Sequence, residues 1–137
     1  MQKIMGIDYG SHRVGIALSD DGANYAFPKT ILENNNTLLE RIAEMVAEEG
    51  VGLVVLGEAD NPAGGENTIV RRITIFKGAL EVRLGLPVEL VSEAFTSAEA
   101  RRALEARLQT RSTKEVAVDA AAAALILQTY LDSIKNK

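Results

Sequence analysis

Apolar and polar positions along the chain mark out a short series of strands followed by alternating helices and strands. Lys3 to Asp8 and Arg13 to Ser19 are apolar runs of strand length, joined by a tight Gly10-Ser11-His12 turn. A third strand is expected from about Asn24 to Ile31, with Pro28 marking it as an edge or bulge position. Thr37-Leu38-Leu39-Glu40 has the spacing of a capping box; Leu38, Leu39, Ile42, Met45 and Val46 then form one helical stripe that stops at Gly50. Leu53-Val54-Val55-Leu56 is continuously apolar, as expected of a strand buried on both faces. After a polar loop over 57–67, Ile69, Ile73, Phe76, Leu80 and Leu84 repeat at helical spacing up to Gly85, and Pro87 to Val91 reads as a fifth strand. Capping-box patterns at Thr96-Ser97-Ala98-Glu99 and Ser112-Thr113-Lys114-Glu115 open two more helices, to about Leu108 and about Ile134.

The order βββαβαβαα predicts an α/β fold: an antiparallel three-stranded meander extended by two parallel strands into a mixed five-stranded sheet flanked by helices. Right-handed crossovers would set strand four beside strand one and strand five beyond it. Sites in open α/β sheets form at the carboxyl ends of strands. Those ends carry Asp8, Gly57-Glu58 and Ser92-Glu93.

Composition narrows the chemistry. The 137 residues fit one domain, 1–137, and at 47% hydrophobic they can build a sizeable core. No cysteine is present, which excludes disulfides, thiolate metal sites and a cysteine nucleophile. Neither a signal-peptide pattern nor a run long enough to span a bilayer is visible, so the expected location is the cytoplasm, with no membrane partner. A net charge of −4 argues against non-specific coating of nucleic acid. Yet Arg101, Arg102, Arg107, Arg111 and Lys114 form a local basic strip opposed only by Glu105. It suits selective nucleic-acid contact, or equally a solvated helix face.

Three carboxylates carry the candidate chemistry. Asp8 ends a hydrophobic strand before a glycine turn, where it could serve local N–H groups or a divalent cation. Glu93 follows the fifth strand. Asp119 interrupts the otherwise apolar segment Val116 to Ala124, either because the helix dipole favours an early aspartate or because it faces the sheet and meets Asp8 and Glu93. Clustered carboxylates repel unless a cation joins them. Oxygen donors without cysteine favour Mg²⁺ or Mn²⁺.

Three segments carry a family resemblance: Met5-Gly6-Ile7-Asp8-Tyr9-Gly10 with Arg13-Val14-Gly15-Ile16-Ala17-Leu18-Ser19-Asp20; Ser92-Glu93-Ala94-Phe95-Thr96-Ser97; and Val118-Asp119 through Gln128. In order and across essentially the whole chain, they resemble the YqgF family of Holliday-junction-resolvase-like proteins, also regarded as pre-16S rRNA nucleases. The resemblance implies an RNase H-like fold, with Asp8, Glu93 and Asp119 as catalytic metal-holding acids and Arg13 as a phosphate contact. Two segments depart from the family pattern. Ser92-Glu93-Ala94 stands where the family has Asp-Glu-Arg, and Gly57-Glu58-Ala59 where it has Gly-Leu-Pro. Glu58 could add a carboxylate to the site or be a loop residue. His12 reads as an exposed turn histidine, although an imidazole beside Asp8 suits proton transfer. Tyr9 is expected to pack locally rather than stack on a base.

The leading expectation is therefore a Mg²⁺- or Mn²⁺-dependent endonuclease for structured nucleic acid, pre-16S rRNA or a Holliday junction. Arg13 and the basic strip would hold the backbone, and a two-fold junction would suit a homodimer. A rival reading, motivated by the two altered segments, is a nucleic-acid or ribosome-associated binding module with a degenerate site. The Asp8-Tyr9-Gly10-Ser11 hairpin also resembles the phosphate hairpin of actin-like and sugar-kinase ATPases. Those proteins need a second domain to enclose a nucleotide, and no Walker-type loop is present.

Overall fold

A computed structural model describes residues 2–58, 68–92 and 120–135. Its strands are β1 (Lys3–Tyr9), β2 (Arg13–Ser19), β3 (Ala26–Glu33), β4 (Val51–Glu58) and β5 (Val88–Ser92). Its helices are α1 (Leu38–Glu49), α2 (Thr68–Leu84) and α3 (Ala121–Lys135). The sheet order is β3-β2-β1-β4-β5, antiparallel at β3-β2-β1 and parallel at β1-β4-β5, as the meander and crossover argument requires. The helix expected from Thr96 to Leu108 and the start of the last helix lie outside the described residues.

Strand alternation divides the core in two. Met5, Ile7, Val14, Ile16, Leu18, Val54 and Leu56 pack against Leu38 and Ile42 of α1 and Ile73, Phe76 and Leu80 of α2. On the other face, Ile4, Ala17 and Val55 pack against Ala123, Ala124, Leu127 and Leu131 of α3. The apolar run of β4 is thus buried on both faces because helices cover both. Among the described residues, no helix is long and apolar enough to cross a membrane.

Two local expectations are corrected. The third strand begins at Ala26 rather than Asn24, because Asp20 Oδ1 accepts the Asn24 and Tyr25 N–H groups at 2.7 and 2.9 Å and holds them in the turn. Pro28 does sit on an edge strand, next to a register shift in which Ile16 pairs with Thr30 and Ala17 with Pro28, so Lys29 is the extra residue. The capping box at Thr37 does not form. Thr37 is the N-cap residue, yet its side chain makes no cap hydrogen bond. Its Oγ1 instead bonds Asn35 Oδ1 at 2.7 Å, while Glu40 is drawn to Arg83 by two 2.9 Å hydrogen bonds. Gly50 ends α1 as expected, in the left-handed region at φ 70°.

α3 is fastened to the sheet by one buried polar side chain. Gln128 Oε1 accepts the Ala26 N–H at 2.9 Å, and its Nε2 donates to Asn24 O at 3.2 Å and Asp132 Oδ1 at 3.0 Å. On the neighbouring strand, buried Ser19 accepts the Ile4 N–H at 2.8 Å.

Candidate functional site

Asp8 is half-buried near the carboxyl end of β1 and pairs with Gly15 of β2. One step beyond the Ile7–Leu56 pair, its other lateral neighbour is the buried Gly57 of β4. Since Met5, Ile7 and Tyr9 face α1 and α2, Asp8 faces α3. That helix lies very close: a Cβ added at Gly6 would stand 2.7 Å from Leu127 Cβ and 3.0 Å from Ala123 O. A Cβ at Gly15 would meet Ala123 Cβ at 3.5 Å and Asp8 Cβ at 3.7 Å. Ala123 and Asp8 therefore border one point.

The turn after Asp8 is braced from β3. Asn34 Nδ2 donates to Gly10 O at 2.8 Å, and the Asn34 N–H donates to His12 O at 2.9 Å. Gly10 is obligatory in that turn, because a Cβ there would lie 2.5 Å from Arg13 O. Asn34 had no visible signal, since it is one of three consecutive asparagines, Asn34-Asn35-Asn36, in a loop.

The predicted residues divide as follows. Arg13 opens β2, is exposed, and by the alternation that buries Val14 toward α1 and α2 lies on the Asp8 face, diagonal to it. His12 is exposed in the turn. Tyr9 points to the opposite face and packs on Phe76, with ring centroids 4.6 Å apart and planes tilted 39°. Glu58 is the last residue of β4 and exposed. Val54 and Leu56 put its parity on the α1 and α2 face, so it does not join Asp8. Glu93, Asp119, Arg101, Arg102, Arg107, Arg111 and Lys114 lie outside the described residues. Among the described residues, no group of three acidic, histidine or cysteine side chains could hold a metal.

The Tyr25 N–H, with help from the Asn24 N–H, holds the Asp20 carboxyl below its usual range against the cost of desolvation. Burial and a hydrogen bond to Glu89 push the Tyr130 hydroxyl up to about 12, which keeps it a donor joining α3 to β5.

A family model described as RuvX, Holliday junction resolvase, matches residues 2–133. The chain is 37% identical over 134 residues to a protein of Pelotomaculum thermopropionicum, covering 96% of this chain and 87% of that one. It is 40% identical over 139 residues to a protein of Listeria monocytogenes, covering 96% and 98%. Both carry pre-16S rRNA nuclease in their names. Among solved structures, the chain resembles T. thermophilus RuvC in complex with a Holliday junction substrate, with a TM-score of 0.62 at 17% identity over 97% of this chain and 96% of that one. It also resembles the fowlpox virus resolvase with its Holliday junction DNA, with a TM-score of 0.55 at 12% identity over 97% and 99%. At these identities the structural likeness speaks for the fold alone, an RNase H-like sheet.

Proposed function

The chain belongs to the RuvX family, and from that premise we propose that it is a divalent-metal-dependent endonuclease that cuts pre-16S rRNA during maturation of its 5′ end. The names of its relatives support the substrate. The position of Asp8 carries the chemistry: a half-buried carboxylate at a strand end, facing α3, between two glycines. In sequence, Glu93 is two residues beyond Val91, which packs on the α3 face, and Asp119 is four residues before Ala123, which borders Asp8. A strand and a helix continued by those steps would turn both acids toward Asp8.

Asp8 fits a hard cation through its carboxylate oxygen donors. With Glu93 and Asp119 it would hold Mg²⁺ or Mn²⁺. The ion would supply charge to stabilise the phosphate's developing negative charge and to acidify water. Arg13, on the same face, would bind and orient the scissile phosphate, and Asn34 keeps the intervening turn in place. The basic strip Arg101 to Lys114 would hold the flanking backbone. A cytoplasmic location follows from the rRNA substrate.

A four-way DNA junction is the second reading, favoured by the family model's description. One experiment separates the readings. Wild type and Asp8→Asn are incubated with a pre-16S rRNA fragment and with a four-way junction, each with Mg²⁺ and with chelator. Cleavage of the rRNA by wild type with Mg²⁺ alone is expected. Equal cleavage by Asp8→Asn overturns the assignment, and cleavage of the junction only selects the second reading. No cleavage of either, with RNA binding retained, supports a binding module.

A further inference from the structure

We propose that a groove on the opposite side of the sheet end from Asp8 seats one unpaired nucleobase of the substrate strand. This deepens the nuclease reading and rests on it. The groove has a volume of ≈ 220 Å³ and is lined by Tyr9, Arg72, Ile75, Phe76 and Ala79. Its floor is the Tyr9–Phe76 ring pair. Its wall is Ile75, 66% exposed on a helix whose Ile73, Phe76 and Leu80 are all buried. Its rim is Arg72, exposed and without a hydrogen bond or ion pair among the described residues. Farther along α2, Lys77 is taken up by Glu81 at 3.2 Å and Arg83 by Glu40 at 2.9 Å.

The combination selects the occupant. An apolar protein surface would cover Ile75 and Tyr9 but desolvate Arg72 without an opposite charge. A nucleotide satisfies both, with a flat π-face for the apolar walls and a phosphate for the guanidinium. In a chain of net charge −4, an arginine with no partner among the described residues supplies, beside the site, the positive charge that a polyanion needs. Tyr9 also ties the groove to the site. Tyr9 follows Asp8 directly, about 3.3 Å along the strand and on the other face. A backbone crossing the sheet end with a phosphate at Asp8 brings a neighbouring nucleotide over the groove. The base must be unpaired, because a base inside a duplex has no free face. Stacking makes the seat tolerant of base identity.

The test uses the full chain carrying Asp8→Asn, so that binding is read without cleavage, and a short single-stranded RNA containing 2-aminopurine. Anisotropy gives affinity, and 2-aminopurine quenching reports stacking. Tyr9→Leu keeps an apolar side chain against Phe76, and Arg72→Gln is a surface change that carries the test if Tyr9→Leu misfolds. Each is expected to weaken binding by about tenfold and reduce the quench. Val82→Asn, at an 88% exposed position farther along α2, should do neither. Unchanged affinity and quench in both groove variants overturn the base seat and leave the nuclease reading standing. Loss of binding in the groove variants, with no cleavage of the same RNA in Mg²⁺ by the chain that keeps Asp8, keeps the seat and overturns the nuclease reading. Ile75→Asp that changes the sedimentation coefficient but not RNA affinity would make the groove a protein contact and overturn the proposal.

Discussion

Single residues near Asp8 do more to place it than to react. At Gly6 α3 lies close against β1, and the nearest obstacles to a side chain there are Leu127 Cβ and the Ala123 carbonyl. A backbone carbonyl cannot swing aside, so Gly6→Ala must lift the helix. The expected loss is about 1–3 kcal/mol, read by thermal unfolding, together with reduced cleavage because Ala123 also borders Asp8. Asn34 offers a cleaner separation of fold from activity. Asn34→Ala removes one hydrogen bond, at a cost of about 0.5–1.5 kcal/mol, while freeing the turn that follows Asp8. Asn34→Asp sets a negative acceptor against Gly10 O, so cleavage rates should fall in the order wild type, Ala, Asp. Equal rates in all three would remove the positioning role. Asp20 predicts the pH response of the fold. Folding lowers its pKa, so its contribution is complete above the ordinary carboxylate pKa and is lost as pH falls through the folded value. The melting-temperature advantage of wild type over Asp20→Asn should therefore shrink from about pH 6 to about pH 3.

At the scale of elements, parity and hydrogen-bond competition decided what periodicity left open. β4 runs two residues past its apolar core, and that extension puts Glu58 in the ladder opposite Ser92 on the face away from Asp8. The first turn of α1 lost its capping box because Arg83 on α2 takes the Glu40 carboxylate while the Thr37 N–H donates to Asn35 Oδ1 at 2.9 Å. α3 depends on Gln128, which is 4% exposed and bonds the turn before β3. Gln128→Leu keeps the volume but takes the acceptor from the buried Ala26 N–H, for an expected loss of about 1–3 kcal/mol. Urea unfolding should show a lower midpoint with an unchanged slope.

Across the whole molecule, an acidic chain that binds a polyanion must do so through a few placed cations. Binding should therefore be salt-dependent with a modest slope. Arg13→Ala should reduce the slope of log affinity against log salt by about 0.7, the contribution of one single-strand phosphate. It should weaken different sequences equally. An unchanged slope would take Arg13 off the phosphate path, and with it the argument that the Asp8 face receives the backbone.

The sequence by itself determined the sheet's strand count and order, the helix stripes, the Gly50 stop, and the placement of Asp8 at a strand end. These follow from periodicity and from chain connectivity, both of which are local or handed by rule. Its motifs also pointed to the right family. Only the tertiary structure decided that Glu58 lies on the face away from Asp8. It also brought Asn34 from a loop to the turn at Gly10, Gln128 to Ala26, and Tyr9 to Phe76. Each of these pairs is distant in sequence and is selected by the packing of whole elements. The close approach of helix to sheet at Gly6 is made by residues more than a hundred positions away.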